Sequence, residues 1–259
     1  MEQCKNCEAV LTGPYCSQCG QKALAERITL GYIIRSFVEA ITNLEQGFWY
    51  TMRELISRPG VVAAEYLEGK RQRYFHPVRY LLILVTAVTV VSLASGVYDL
   101  QQNEIQHLQN QALGLQPDDK YLLRQQKVQE ESKKYLNLIA MATLPFVSFV
   151  GYRLFRKKRY NYAEHLAIVA FWSAQLAAIG MVVQFAFLVA PGAAAYALPA
   201  NLLIGSLYFG VGYRQLFNIG HGQAFAKGLL ANLLGFLLMM ASVIVITIVA
   251  VLAYKFLFK

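Results

Sequence analysis

Two stretches free of charge constrain this chain more than any other feature: Leu166 to Tyr213 and Gly228 to Tyr254 contain no Asp, Glu, Lys or Arg. Apolar runs well beyond about 18 residues read as membrane spans, because a helix that is hydrophobic on every side has no face to give to water. Composition agrees, since 56% of the 259 residues are hydrophobic and only 15% charged, against about 25% charged in soluble domains. Two shorter apolar stretches, Tyr80 to Val97 and Tyr135 to Tyr152, are each bounded by charge. The 166–213 run is too long for one crossing, and Pro191, Gly192 and Pro199 divide it. The expected architecture is an all-α integral membrane protein, a five-helix transmembrane bundle over 80–259, with spans near 80–97, 135–152, 166–190, 199–216 and 228–254.

Five spans place the termini on opposite faces. Lys70, Arg71, Arg73 and Arg79 precede the first span, Arg153, Arg156, Lys157, Lys158 and Arg159 follow the second, and Arg214 and Lys227 flank the loop before the last. Cytoplasmic flanks carry the excess of Lys and Arg, so the N-terminus is expected in the cytoplasm and the C-terminus outside. The opening MEQCKNCEAV lacks the basic start and apolar middle of a signal peptide, so insertion is expected to use the first span. The net charge of +9 gathers beside the spans, which favours lipid headgroups over nucleic acid as its partner. The external loop 99–134 is rich in Gln, Glu, Lys and Leu and predicts two helical extensions meeting near Gly114 and Pro117.

Residues 25–79 predict cytoplasmic or juxtamembrane amphipathic helices. Leu30, Ile33, Ile34, Phe37, Val38 and Ile41 recur at helical spacing behind Thr29 as N-cap. A second helix is expected from Phe48 to Ile56, and a third from the Ser57, Arg58, Pro59 turn to Gly69. The apolar faces can pack on one another or lie flat on the inner leaflet, and because this segment runs into the basic, aromatic stretch from Lys70 to His76, the leaflet is the expected site.

Cys4, Cys7, Cys16 and Cys19 form two CxxC pairs in residues 1–24, with Gly13 and Pro14 between them. Two such knuckles complete a tetrahedral Cys4 site, and the reducing cytoplasm keeps the thiols available, so a structural zinc ribbon is expected. Zinc would stabilise a segment too short to hold a core of its own.

Three histidines, His76, His165 and His221, fall at the cytoplasmic boundary, with Glu164 beside one of them. If they converge, they offer a second metal site or acid and base chemistry at the membrane interface; otherwise each is an interfacial side chain bonded to backbone or headgroup. The spans carry no ionisable residue in their interior, only Gln175, Gln184, Asn201 and Asn232 as strongly polar groups. These suit hydrogen bonds between helices, or the path of a channel or carrier for a neutral solute. Phosphate-cradling glycine loops, nucleophile elbows and HExxH motifs are absent from the sequence.

After the cysteine pairs, several features stand together: Arg27, Ile28, Thr29 and Leu30; Gly47 and Phe48; Arg58, Pro59 and Gly60; the run from Tyr66 to Pro77; and YAEHL at Tyr162 to Leu166. On these the chain resembles a family of uncharacterised bacterial multipass membrane proteins with an N-terminal zinc ribbon, named only as a domain of unknown function, number 3667. The resemblance implies a bacterial inner membrane and brings no activity and no site residues. The function expected from the sequence is a non-enzymatic docking, scaffold or regulatory protein with a cytoplasmic protein partner. Metal analysis of the purified chain should find one zinc, absent from the Cys4→Ser, Cys7→Ser double variant; a second metal surviving in that variant would move the reading to the histidines.

Overall fold

The computed structural model describes residues 47–71, 73–114, 118–157 and 160–257, with residues 3, 9, 10 and 12–18 of the N-terminal region. The helix expected from Leu30 to Ile41, and Cys4, Cys7 and Cys19, lie outside the described residues. Contacts divide the chain into two compact units, Met1–Gln46 and Gly47–Lys259. In the first, Gln3 and Val10 form an antiparallel bridge, and Gly13 and Pro14 bend the chain ahead of the buried Cys16.

The described part of the second unit is helical. Helix α1 covers 47–57, and α2, Pro59–Leu67, follows with proline in its first turn and Gly69 at a φ of 107° just past its end. Helix α3, Pro77–Ala94, also opens on proline. Helices α4, Val97–Ala112, and α5, Asp119–Lys133, form the segment between the first two apolar stretches. Gly114 turns between them at a φ of 63°. Lys133 joins them by bonding Asp99 at 2.8 Å, and Tyr98 meets Ser132 at 2.9 Å. Then come α6, Leu136–Ala142, α7, Leu144–Leu154, and α8, Tyr162–Val189. A 3-10 turn over Pro191–Tyr196 leads to α9, Ala197–Phe217, and α10, His221–Leu257. Pro199 sits in the first turn of α9, where no intrahelical N–H is required.

Four segments are long and apolar enough to cross a membrane: Pro77–Ala94, Leu136–Leu154, Tyr162–Val189 and His221–Val245. The five expected from sequence therefore become four by this measure. Helix α9 has the length, with 21 residues, but Asn201, Ser206, Arg214 and its glycines and tyrosines dilute its apolar character.

Packing gives the second unit two ends. Helix α3 runs along α8, α9 lies against α8 and α10, and α10 also packs on α7. At one end Phe155, just after α7, stacks on Phe217 with ring centres 3.9 Å apart. The Lys227 ammonium of α10 lies 4.2 Å from the centre of the Phe155 ring. His76, preceding α3, lines a pocket there with Asn161 and Glu164 at the start of α8. This is the basic end, since Arg79, Arg153 and Arg214 also belong to these helix termini. At the other end Ser92 of α3 donates to Gln184 of α8 at 2.5 Å, and α4 packs on the 3-10 turn.

Helices α1 and α2 meet protein where lipid was expected. Leu55, Val62, Ala63 and Tyr66 belong to the same core as Phe171, Trp172, Phe209 and Tyr213 of α8 and α9. The apolar stripe is satisfied by aromatic side chains of neighbouring helices, which supply dense contacts that a fluid leaflet does not. The approach is close enough to require glycine. A Cβ placed on Gly60 would stand 2.4 Å from the Gly212 carbonyl oxygen, and one on Gly212 would stand 2.5 Å from the Trp172 ring. Gly60→Ala should therefore cost about 1–3 kcal/mol or more through overpacking, lowering the melting temperature of the detergent-solubilised chain. Gly222→Ala, with nothing within 4 Å, should leave it unchanged.

Candidate functional site

A helix end leaves backbone carbonyls and N–H groups without intrahelical partners. At the junction of α1 and α2, three side chains from distant sequence supply partners to the Leu55 and Ser57 carbonyls and the Gly60 N–H, and add a further bond at the Pro59 carbonyl. Trp172 Nε1 donates to the Pro59 carbonyl at 3.0 Å, and the Tyr208 hydroxyl donates to the Leu55 carbonyl at 2.8 Å. Gln215 closes both sides of the turn: its Nε2 donates to the Ser57 carbonyl at 3.2 Å, and its Oε1 accepts from Gly60 N–H at 2.9 Å. Thr51 ties the following loop to α1, accepting from Phe75 N–H at 2.8 Å while donating to the Gly47 carbonyl at 2.7 Å.

The loop between α2 and α3 is closed by charge. The Tyr74 hydroxyl donates to the Glu65 carboxylate, and Lys70 donates to the same group at 3.1 Å. These two bonds, that from Tyr74 foremost, hold the Glu65 carboxyl below its ordinary range. Burial, reinforced by the bond to Glu65, pushes the Tyr74 hydroxyl up. One face of α1 is left outward. Trp49, Arg53 and Ile56 are exposed and recur at the i, i+4, i+7 spacing of a single stripe.

Of the residues that sequence grouped as a possible catalytic or metal site, the structure brings His76 and Glu164 to one pocket and leaves His165 and His221 off its lining. Glu164 accepts from Asn161 N–H at 2.6 Å, and Asn161 Oδ1 accepts from Glu164 N–H at 2.9 Å. That is a complete capping box at the start of α8. His76 is exposed and shares a shallow pocket with Glu164, Arg71 and Tyr66. His165, next along the helix, turns away and is fully buried, against Tyr152 and Phe217. His221 is exposed at the first residue of α10. Among the described residues no three His, Cys, Asp or Glu side chains gather as a metal would require.

His165 has company that the sequence did not indicate. Both its ring nitrogens, the Tyr213 hydroxyl and the Ser148 hydroxyl are buried with no hydrogen-bond partner among the described residues. A Cβ built on Gly151 would stand 2.8 Å from the Tyr213 hydroxyl and 3.5 Å from His165 Nδ1, so these two groups border the same small gap. His165 of α8 and Tyr213 of α9 meet at Gly151 of α7, and such convergence leaves no trace in linear spacing.

Residues 45–89 match a family described as "Protein of unknown function (DUF3667)". The match supports an uncharacterised family and brings no activity with it. It covers α1, α2 and the first two-thirds of α3, and so includes Leu55, Ser57, Pro59 and Gly60, whose backbone groups the distant side chains bond. Among curated proteins and solved structures, none matches the chain.

Because the Glu65 pKa is lowered from 4.5, the stability it contributes is complete above about pH 4.5 and is lost as pH falls through its folded-state value. Glu65→Gln should accordingly be less stable than the wild type at pH 7, with the difference shrinking toward pH 3. Limited proteolysis of the 68–75 loop across that range reads it, and a pH-independent difference would contradict the carboxylate's role.

Proposed function

We propose that this chain is a non-enzymatic docking or regulatory protein of the bacterial inner membrane, in which α1 and α2 form a rigid cytoplasmic platform on a transmembrane bundle. The observation that carries this reading is the pairing of an anchored face with an open one on α1. Leu55 and Thr51 are buried on one side, while Trp49, Arg53 and Ile56 are exposed on the other. Tryptophan and arginine dominate protein interfaces, and a helix already fixed by its neighbours loses little further freedom on binding.

The proposal places the N-terminus in the cytoplasm and the C-terminus outside, and takes α9 as a fifth crossing. What supports it is connectivity: α8 and α10 both begin at the basic end, so the chain has to return along α9 between them. The basic end, with Arg79, Arg153, Arg214 and Lys227, matches the charge bias of cytoplasmic flanks.

The N-terminal region is proposed as a small ribbon in which Cys4, Cys7, Cys16 and Cys19 hold one structural zinc. Its support is the CxxC spacing together with two local features. The bridge between Gln3 and Val10 brackets the first pair, and Cys16 is buried behind the Gly13, Pro14 bend. The partner it implies is a cytoplasmic protein.

Crosslinking in native membranes tests the platform. A photo-reactive residue replacing Ile56 should capture one defined partner, and Trp49→Ala should abolish that adduct while the chain stays inserted. Capture unaffected by Trp49→Ala would contradict the platform. A periplasm-active reporter fused after Lys259 should be active; activity only in the cytoplasm would reduce the crossings to four.

A further inference from the structure

Within the second unit lies a half-open cavity of about 330 Å³ bounded by α3, α6, α7, α8, α9 and α10. Its walls are apolar, including Leu81, Val85, Leu176 and Phe236, and its lining holds no charged side chain among the described residues. Three carboxamides border it: Gln184, Asn201 and Asn232.

Their hydrogen bonding is incomplete. Gln184 spends its oxygen on Ser92 at 2.5 Å, and no partner is found for its Nε2 among the described residues. Asn232 donates from Nδ2 to the Gly228 carbonyl at 2.9 Å, and its oxygen faces α9, 3.8 Å from a Cβ built on Gly205. The Asn201 side chain makes no hydrogen bond among the described residues, and its oxygen stands 3.6 Å from a Cβ built on Gly180. Amide groups left without a partner in an apolar setting are costly. Gln175 accepts from the buried Tyr80 hydroxyl, and Thr89 donates to Asn137 at 2.5 Å. The amides bordering the cavity keep hydrogen-bonding groups open, Asn201 on an exposed position and Gln184 and Asn232 half-buried.

We infer that this cavity binds an uncharged, hydroxyl-bearing molecule, its hydroxyls on Gln184, Asn201 and Asn232 and its hydrocarbon against the α3 and α8 wall. The chemistry follows from the lining. Without a counter-charge an ion would be strongly disfavoured, whereas a hydroxyl both donates and accepts and so meets the open amide N–H and C=O groups together. The volume is at the lower end of ligand sites, enough for a glycerol-sized head with the first carbons of a chain. Such a molecule arrives from the bilayer as a neutral lipid of the diacylglycerol class, or from water as a small polyol. The inference rests on the membrane reading and is independent of the docking surface on α1.

The test uses the full chain in phosphatidylcholine nanodiscs with a diacylglycerol carrying a diazirine on its acyl chain, and in vesicles exposed to glycerol. A bilayer source gives labelling of cavity-lining residues that falls about fivefold or more in Asn201→Leu, the factor expected for one lost hydrogen bond, and persists in Asn201→Gln. An aqueous source gives glycerol permeation by the wild type that is lost in Asn201→Leu. Because the Asn201 side chain has no hydrogen-bond partner to lose among the described residues, Asn201→Leu should melt at the wild-type temperature or above it. Neither cavity labelling nor glycerol permeation, or labelling indifferent to Asn201→Leu, or a lower melting temperature in that variant, would overturn the site. Failure of the chain to enter nanodiscs would overturn the membrane reading together with it.

Discussion

The arrangement of this protein depends on a requirement for backbone partners where two short helices meet. The end of α1 exposes carbonyls and the start of α2 an N–H that no helix satisfies, and burial of Leu55, Pro59 and Gly60 under α8 and α9 keeps water from them, while Ser57 stays exposed. Trp172, Tyr208 and Gln215 take water's place, with four bonds between 2.8 and 3.2 Å. Each contributes on the order of 1 kcal/mol net, and leaving any of the buried groups unpaired costs more than the bond supplies. Gly60 and Gly212 allow the backbones to approach closely enough for these bonds to form. The two short helices are thereby joined to the helices of the bundle, and Trp49, Arg53 and Ile56 face outward from a fixed support.

Part of this was legible in the sequence. Charge-free runs identified α8 and α10, the bounded apolar stretches identified α3 and the α6–α7 segment, and proline and glycine marked the limits of α2. Those signals are local, because solvent preference and helix termination act on neighbouring residues. Helix α9 shows where locality ends. The charge-free run and its prolines predicted a crossing over 199–216, yet the polar and small residues of α9 leave it outside the four segments apolar enough to cross, and it packs against α8 and α10.

The site was less legible, for the same physical reason. Glu164 looked reactive because it neighbours a histidine, but Asn161 three residues earlier makes it half of a capping box, a pattern that the sequence does display. Adjacent positions on a helix face directions about 100° apart, so Glu164 and His165 part company: one caps the helix beside the His76 pocket and the other enters the aromatic core. The bond from Trp172 to Pro59 spans 113 positions and the one from Tyr208 to Leu55 spans 153. No spacing rule reaches so far, and an isolated Trp or Tyr in an apolar run reads simply as core.

Amide hydrogen exchange on the full chain in nanodiscs addresses the account most directly. If distant side chains fix the α1–α2 junction, the Gly60 N–H, held by Gln215, should exchange as slowly as the amides in the middle of α8. Exchange at Gly60 as fast as in the exposed α4–α5 segment would mean that α1 and α2 lie loosely at the membrane surface, and the account would fail.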